Sequence, residues 1–155
     1  MNNDKWDKYA KRLENKIRKK SIKDYNEYIV DLFYEPKNWG KLSNEELSIS
    51  QSYKGPCGDT MEFYLKIQNG IIEKATFITD GCGASVATAS QVTLLIEGKS
   101  LNYAEALTPD EIDNSLGGLP ENHKHCALLA AKTLKKAIIR YIEKVKEWEI
   151  LLLLV

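Results

Sequence analysis

Cysteine is scarce in this chain: there are three in 155 residues. An odd count cannot pair fully within one chain, which speaks against a secreted disulfide framework and for a reducing compartment, the cytoplasm. An excess of either charge is also missing. Lys plus Arg and Asp plus Glu both total 22, so nothing draws the chain to a phosphate backbone and nucleic acid is not an expected partner. Long apolar runs are absent, so no membrane span is expected. The opening MNNDKWDKYAKRLENKIRKK has no apolar signal core, and its acids argue against a transit peptide. Internal repeats and low-complexity linkers are missing too. What remains is a chain that is 43% hydrophobic and 28% charged, enough for one folded domain with a core.

Its pattern is mixed. Residues 4–20 read as a helix with Trp6, Tyr9, Leu13 and Ile17 on one stripe and basic residues elsewhere, a solvated amphipathic helix. A second helix is predicted from Ser21, with Asp24 in an approximate capping box. It is expected to bury Tyr25, Tyr28, Ile29, Leu32 and Phe33 and to stop at Pro36. LSIS at 47–50 and TMEFYLKIQ at 60–68 read as strands, the latter with Met61, Phe63, Leu65 and Ile67 on one face. Asn69-Gly70 is a hairpin turn into IIEKATFIT. Helices follow from Ser85 to Glu97, after Thr108, and from about His123 to Trp148. The fold class expected is α+β: a small three-stranded antiparallel sheet with helices packed on one face. The organisation expected is a basic helical extension at 1–20, a domain at 21–148 and an apolar tail, ILLLLV, within 149–155.

Each cysteine stands at a junction of elements. Cys57, in GPCGD, precedes the long strand; Cys82, in DGCGAS, lies between a strand and a helix; Cys126 follows His125 near the start of the last helix. Strand-end loops and helix N-termini can meet at one end of a two-layer fold. Helix N-termini also favour a thiolate over a thiol, which predicts reactive cysteines at 82 and 126. Glycine beside cysteine suits a backbone that must come close to a metal or to another protein's sulfur. These residues point to a three-cysteine metal or sulfur site at one end of the molecule. Asp59 and His125 are candidate fourth ligands, whereas His123 reads as a solvated loop residue.

The segments YNEYIVDLFYEPKNWGKL, GPCGDTMEFYLKI, NGIIEKATFITDGCGASVATAS and LPENHKHCALLAAKTLKKAI closely resemble the NifU-like, or IscU-like, iron–sulfur cluster assembly scaffold family, over a span from about Tyr25 to Tyr141. The resemblance implies a scaffold and not an enzyme. Such a scaffold takes sulfur from a cysteine desulfurase and iron from a donor, builds a labile [2Fe–2S] cluster and passes it to apo acceptor proteins. Carried over by position, it implies Cys57, Cys82 and Cys126 as ligands, Asp59 and His125 as the exchangeable ligand and its neighbour, and Cys126 as the sulfur acceptor. Where the family often has LPPVK, read by a dedicated chaperone, this chain has LPENHK at Leu119–Lys124, with His123 at the lysine position. The extra cluster-bearing domains of long NifU proteins are not expected.

Two other readings compete. One is a zinc-bound sulfur acceptor that stimulates a desulfurase without holding a cluster, since three thiolates with Asp59 or His125 suit tetrahedral zinc. The other is a cysteine-nucleophile enzyme built on Cys126, which is disfavoured because neighbouring helical residues point about 100° apart, turning His125 away. The apolar tail leaves open a homo-oligomer contact.

Overall fold

The computed structural model describes residues 3–155; the first two residues of the extension expected at 1–20 lie outside the described residues. Helix α1 (Asn3–Asp24) and helix α2 (Glu27–Tyr34) lead into three strands, β1 (Ile49–Lys54), β2 (Thr60–Gln68) and β3 (Ile71–Thr79). Four helices follow: α3 (Gly83–Ile96), α4 (Leu101–Ala106), α5 (Pro109–Ser115) and α6 (His125–Leu153). A 3-10 turn, Glu121–His123, precedes α6. The sheet is antiparallel with order β1-β2-β3, so the α+β expectation holds.

The β2–β3 hairpin shows how local chemistry sets a turn. Gln68 pairs with Ile71, leaving Asn69 and Gly70 alone in the turn, both with positive φ (52° and 73°). That is the type I′ geometry that Asn-Gly supplies at low cost and that matches strand twist. Beyond the turn, an irregularity between Lys66 and Ile67 shifts the pairing by one residue, and it is this shifted register that sets Phe63 opposite Phe77 and Leu65 opposite Ala75. Met61, Phe63, Leu65, Phe77 and Ile72 are all fully buried. By area, a fully buried Leu, Phe or Met stabilises the fold by about 1.5–3 kcal/mol. Helix α6 packs on β1 and β2, and α3 packs on β3.

Helix α3 is lined with small residues, Ala84, Ala87, Ala89 and Ser90 among them, all buried. Small side chains let neighbouring elements approach closely. At its first residue the approach is extreme: a Cβ on Gly83 would meet the Phe33 ring at 2.8 Å. The glycine is therefore required by packing of α2 against α3.

Several boundaries differ from the sequence reading. Helix α1 does not end at Lys20 but continues to Asp24. The Ser21 hydroxyl donates to the Ile17 carbonyl inside the helix instead of capping a new one. The cap of α2 is Asn26, whose side chain accepts from the Ile29 N–H and donates to the Leu116 carbonyl at 2.7 Å. Ile29 and Leu32 are buried as expected, but Tyr28 and Phe33 are exposed, although the Tyr28 hydroxyl donates to Gln91 Oε1 and the Phe33 ring lies against Gly83, both in α3. Strand β1 begins later and runs on to Lys54, since pairing with β2 continues to Lys54–Thr60. Helix α4, capped by Ser100, was not predicted. The α5 start matches the reading in full, with the Thr108–Glu111 capping box and Pro109 present. The limits drawn at 20/21 and 148/149 both fall within helices, α1 and α6. Trp6, Tyr9, Leu13 and Ile17 are exposed, as are Trp148 and residues 150–155. Among the described residues, no helix is long and apolar enough to cross a membrane.

Candidate metal centre

The site stands at the sheet end where β1 turns into β2 and β3 turns into α3. Gly55 to Asp59 form a tight turn. The Gly55 N–H donates to the Asp59 carbonyl at 2.9 Å and the Gly58 N–H to the Gly55 carbonyl at 3.0 Å. Gly58 has φ of +91°, a conformation that side chains with a Cβ resist. This turn presents Cys57 and Asp59. Across from it, Asp80 accepts from the Thr60 N–H at 2.7 Å, and the Thr79 hydroxyl donates to the Thr60 carbonyl at 2.7 Å. These bonds clamp the β2 start to the β3 end, so the turn holding Cys57 and Asp59 is fixed against Cys82, the N-cap of α3. His125 and Cys126 enter from the first turn of α6.

The potential ligand atoms fall into two groups, each with its atoms within 4.8 Å of one another: Cys82, His123 and Cys126, and Cys57, Asp59 and His125. The structure thus gathers all five residues expected of the site. Consecutive residues of α6 serve different groups, His125 one and Cys126 the other, as their divergence on a helix requires. A buried hydroxyl joins the groups. Ser85 Oγ donates to Asp59 Oδ2 at 3.1 Å, lies 3.4 Å from Cys126 Sγ and 4.0 Å from Cys82 Sγ. Gly81 makes room for this junction, because a Cβ there would meet Ser85 at 2.6 Å and Asp59 Oδ2 at 2.8 Å. The glycines around Cys82 therefore serve close approach of the chain to its own side chains, not only to an incoming ligand.

Two expectations are corrected here. Cys126 is not a poised thiolate. Its side chain is fully buried, whereas Cys57 and Cys82 are exposed. Burial pushes the Cys126 thiol up to about 12, with the neighbouring Cys82, Asp59 and Cys57 adding to the rise and the Ser85 hydrogen bond opposing it. Burial outweighs the helix N-terminus. Nor is His123 a solvated loop residue: it is half-buried, its Nδ1 lies 3.8 Å from Cys82 Sγ and its ring centroid is 5.5 Å from that of Tyr25. The sequence did carry a signal for both missed residues. His123 stands three residues before Cys126 and Ser85 three after Cys82, the spacing that puts side chains on one side of a helical turn.

The segment carrying His123 is anchored to α5. Asp113 accepts from the Leu119 N–H at 2.7 Å and pairs with Lys124 at 2.7 Å. Burial alone would raise the Asp113 carboxyl, but the bonds from Lys124 and Leu119 outweigh it and hold it below its ordinary value.

The family model described as the NifU-like N-terminal domain matches residues 24–148. The chain belongs to this family. Among relatives of the NifU-like domain, an iron–sulfur cluster assembly scaffold protein IscU of Archaeoglobus fulgidus is 36% identical over 129 residues, covering 79% of this chain and 84% of that protein. The scaffold protein IscU of Escherichia coli is 37% identical over 123 residues, covering 77% and 95%. A crystal structure of a nitrogen-fixing NifU-like protein (N-terminal) from Brucella abortus shares the fold, with a TM-score of 0.59 at 20% identity, over 79% of this chain and 96% of that one. In this NifU-like domain, the match takes in the sheet, α2 to α5 and all three cysteines, and it leaves out α1 up to Lys23.

Proposed function

We propose that this NifU-like domain is a scaffold on which an iron–sulfur cluster is assembled and from which it is handed on. The observation that carries the reading is the convergence of Cys57, Cys82 and Cys126 with Asp59 and His125 at one end of the sheet. Relatives that cover most of the chain are named as iron–sulfur cluster assembly scaffolds, which favours the cluster over a zinc-bound sulfur acceptor.

The chemistry follows from the donor set. A cluster is normally held by four thiolates. Three thiolates and one carboxylate leave a hard oxygen donor where iron sulfide prefers sulfur. The thiolate of an acceptor protein can displace Asp59, so the cluster is bound but replaceable. The domain itself performs no turnover of a substrate in this reading.

Sulfur arrives from a cysteine desulfurase carrying a persulfide. A scaffold thiolate attacks the outer sulfur, the donor sulfur–sulfur bond breaks and the donor cysteine leaves as thiolate. We assign sulfur acceptance to Cys126. Because its side chain is buried, Cys126 must be uncovered for transfer, whereas Cys57 and Cys82 are open. Turning two transferred sulfurs into sulfides takes four electrons; oxidation of two ferrous ions supplies two, and an external one-electron reductant supplies the rest. Iron comes from a donor in the same reducing compartment, the cytoplasm. The LPENHK stretch lacks the apolar Pro-Val pair of LPPVK, so hand-over without that dedicated chaperone is the route proposed.

Anaerobic reconstitution with iron, cysteine and a desulfurase tests the reading. The expected result is visible charge-transfer absorbance of a [2Fe–2S] cluster that decays when an apo-ferredoxin is added. Desulfurase stimulation with zinc retained and no colour would overturn it. Asp59→Cys should release its cluster at least tenfold more slowly; release at the wild-type rate would defeat the exchangeable-ligand account.

A further inference from the structure

Asp59 and His125 account for the donors around Cys57, but they leave His123 unexplained. Its Nδ1 is directed at Cys82 Sγ, 3.8 Å away, and Cys82, His123 and Cys126 have ligand atoms within 4.8 Å of one another. Two sulfurs and one imidazole nitrogen are a donor set suited to a divalent ion of the zinc, iron or cobalt type. The three come from elements with independent support. Cys82 caps α3, Cys126 lies in the first turn of α6, and His123 closes a 3-10 turn whose His123 N–H donates to the Pro120 carbonyl at 2.8 Å. On either side of that turn, Leu119 and Lys124 are tied to Asp113. A ligand on an anchored segment loses little freedom on binding, which favours uptake.

Packing alone does not explain the arrangement. The tilted contact with Tyr25 accounts for the partial burial of the His123 ring, but not for a ring nitrogen at the sulfur of Cys82. The chain has two histidines, and they serve different groups of donors.

We infer that His123 is a metal ligand, and that Cys82, His123 and Cys126 form a half-site for one divalent transition-metal ion beside the group of Cys57, Asp59 and His125. The inference deepens the scaffold reading and rests on it for biological meaning, because it provides a place for a single ferrous ion next to the donors that complete a cluster. It does not rest on that reading for its test.

The test uses the full chain with nitrogen-labelled histidine and an NMR-active cadmium isotope as the probe metal. Two histidines give two sets of ring-nitrogen signals, assigned by the variants His123→Phe and His125→Phe. The expected result is a one-bond coupling between cadmium and His123 Nδ1 in the unaltered chain. His123→Phe, which keeps a ring against Tyr25, should weaken cobalt(II) binding at least tenfold. Cadmium bound with no coupling to His123 would overturn the inference, whatever the variant does, and so would unchanged cobalt affinity in a folded His123→Phe. Coupling at His123 together with failure of desulfurase-driven cluster formation would sink the scaffold reading and leave this one standing; a cluster that forms with His123 uncoupled would do the reverse.

Discussion

The two donor groups at the end of the sheet share a hydroxyl but differ in almost everything else. The inner group, Cys82, His123 and Cys126, has two sulfurs, one of them sealed in the core. The outer group, Cys57, Asp59 and His125, is one sulfur, one carboxylate and one imidazole on a hairpin turn and a helix start, with Cys57 and His125 exposed. In the proposed reading the inner group is the one that holds, because its two sulfurs are soft donors that favour soft and borderline metals. In the same reading the outer group is the one that lets go, because a carboxylate competes poorly with an arriving thiolate for iron. A protein that assembles and delivers a cluster needs both tendencies, and this domain places them side by side across Ser85.

The comparison can be broken most directly at its sulfurs. With no metal present, alkylation at pH 8 should modify Cys57 and Cys82 roughly a hundredfold faster than Cys126, because thiolate content and access set the rate; peptide mass spectrometry reads the order. Equal rates would erase the distinction between inner and outer groups. Cys126→Ala should lower reconstituted cluster absorbance more than tenfold, with far-ultraviolet circular dichroism showing that the fold persists.

The buried thiol also makes a prediction about pH. The Cys126 thiol is raised by burial from an ordinary 9.0 to about 12. Between those values the unfolded chain has lost the proton and the folded chain keeps it, so stability falls as pH rises. The contribution is fully present below pH 9 and declines through the window by at most about 1.4 kcal/mol per pH unit. Denaturant titrations of the metal-free domain at pH 8 and pH 10.5 should show the loss, and Cys126→Ala should reduce it.

A smaller perturbation sharpens the role of the junction. Gly81→Ala forces a methyl group into the space held by Ser85 and Asp59. It should cost about 1–3 kcal/mol of stability, as overpacking does, and should speed cluster loss by moving the carboxylate. The smallest effect belongs to a control far from both groups. Thr108→Ala removes the capping box of α5 and should cost about 1 kcal/mol, with cluster absorbance unchanged.

How much of this was readable beforehand depends on the range of the interaction. The β2–β3 hairpin was legible because Asn69-Gly70 and the alternation of Met61, Phe63, Leu65 and Ile67 are local signals. The α5 cap was legible for the same reason. The α2 cap was misplaced because Ser21 and Asp24 also satisfy a capping pattern, and the choice of Asn26 is reinforced by a bond to Leu116, which lies 90 residues away. Helix α4 was missed because its six residues carry little periodic signal, and its support comes from packing against α6. In the candidate site, Cys57, Asp59, Cys82, His125 and Cys126 were singled out from their types and junctions, and the structure brings them together. His123 and Ser85 were not, because an imidazole in a loop and a serine in a helix acquire a role only when a distant sulfur is set beside them.

The amino-acid order by itself determined the β2–β3 turn and the capped start of α5, and it marked out Cys57, Asp59, Cys82, His125 and Cys126 as candidate donors, since these depend on neighbours a few residues apart. Only the tertiary structure decided which donors share a group, that Cys126 is sealed while Cys57 and Cys82 are open, and that His123 faces sulfur. Those outcomes depend on solvent exclusion and on contacts between segments far apart in the chain, and no short stretch of sequence carries either.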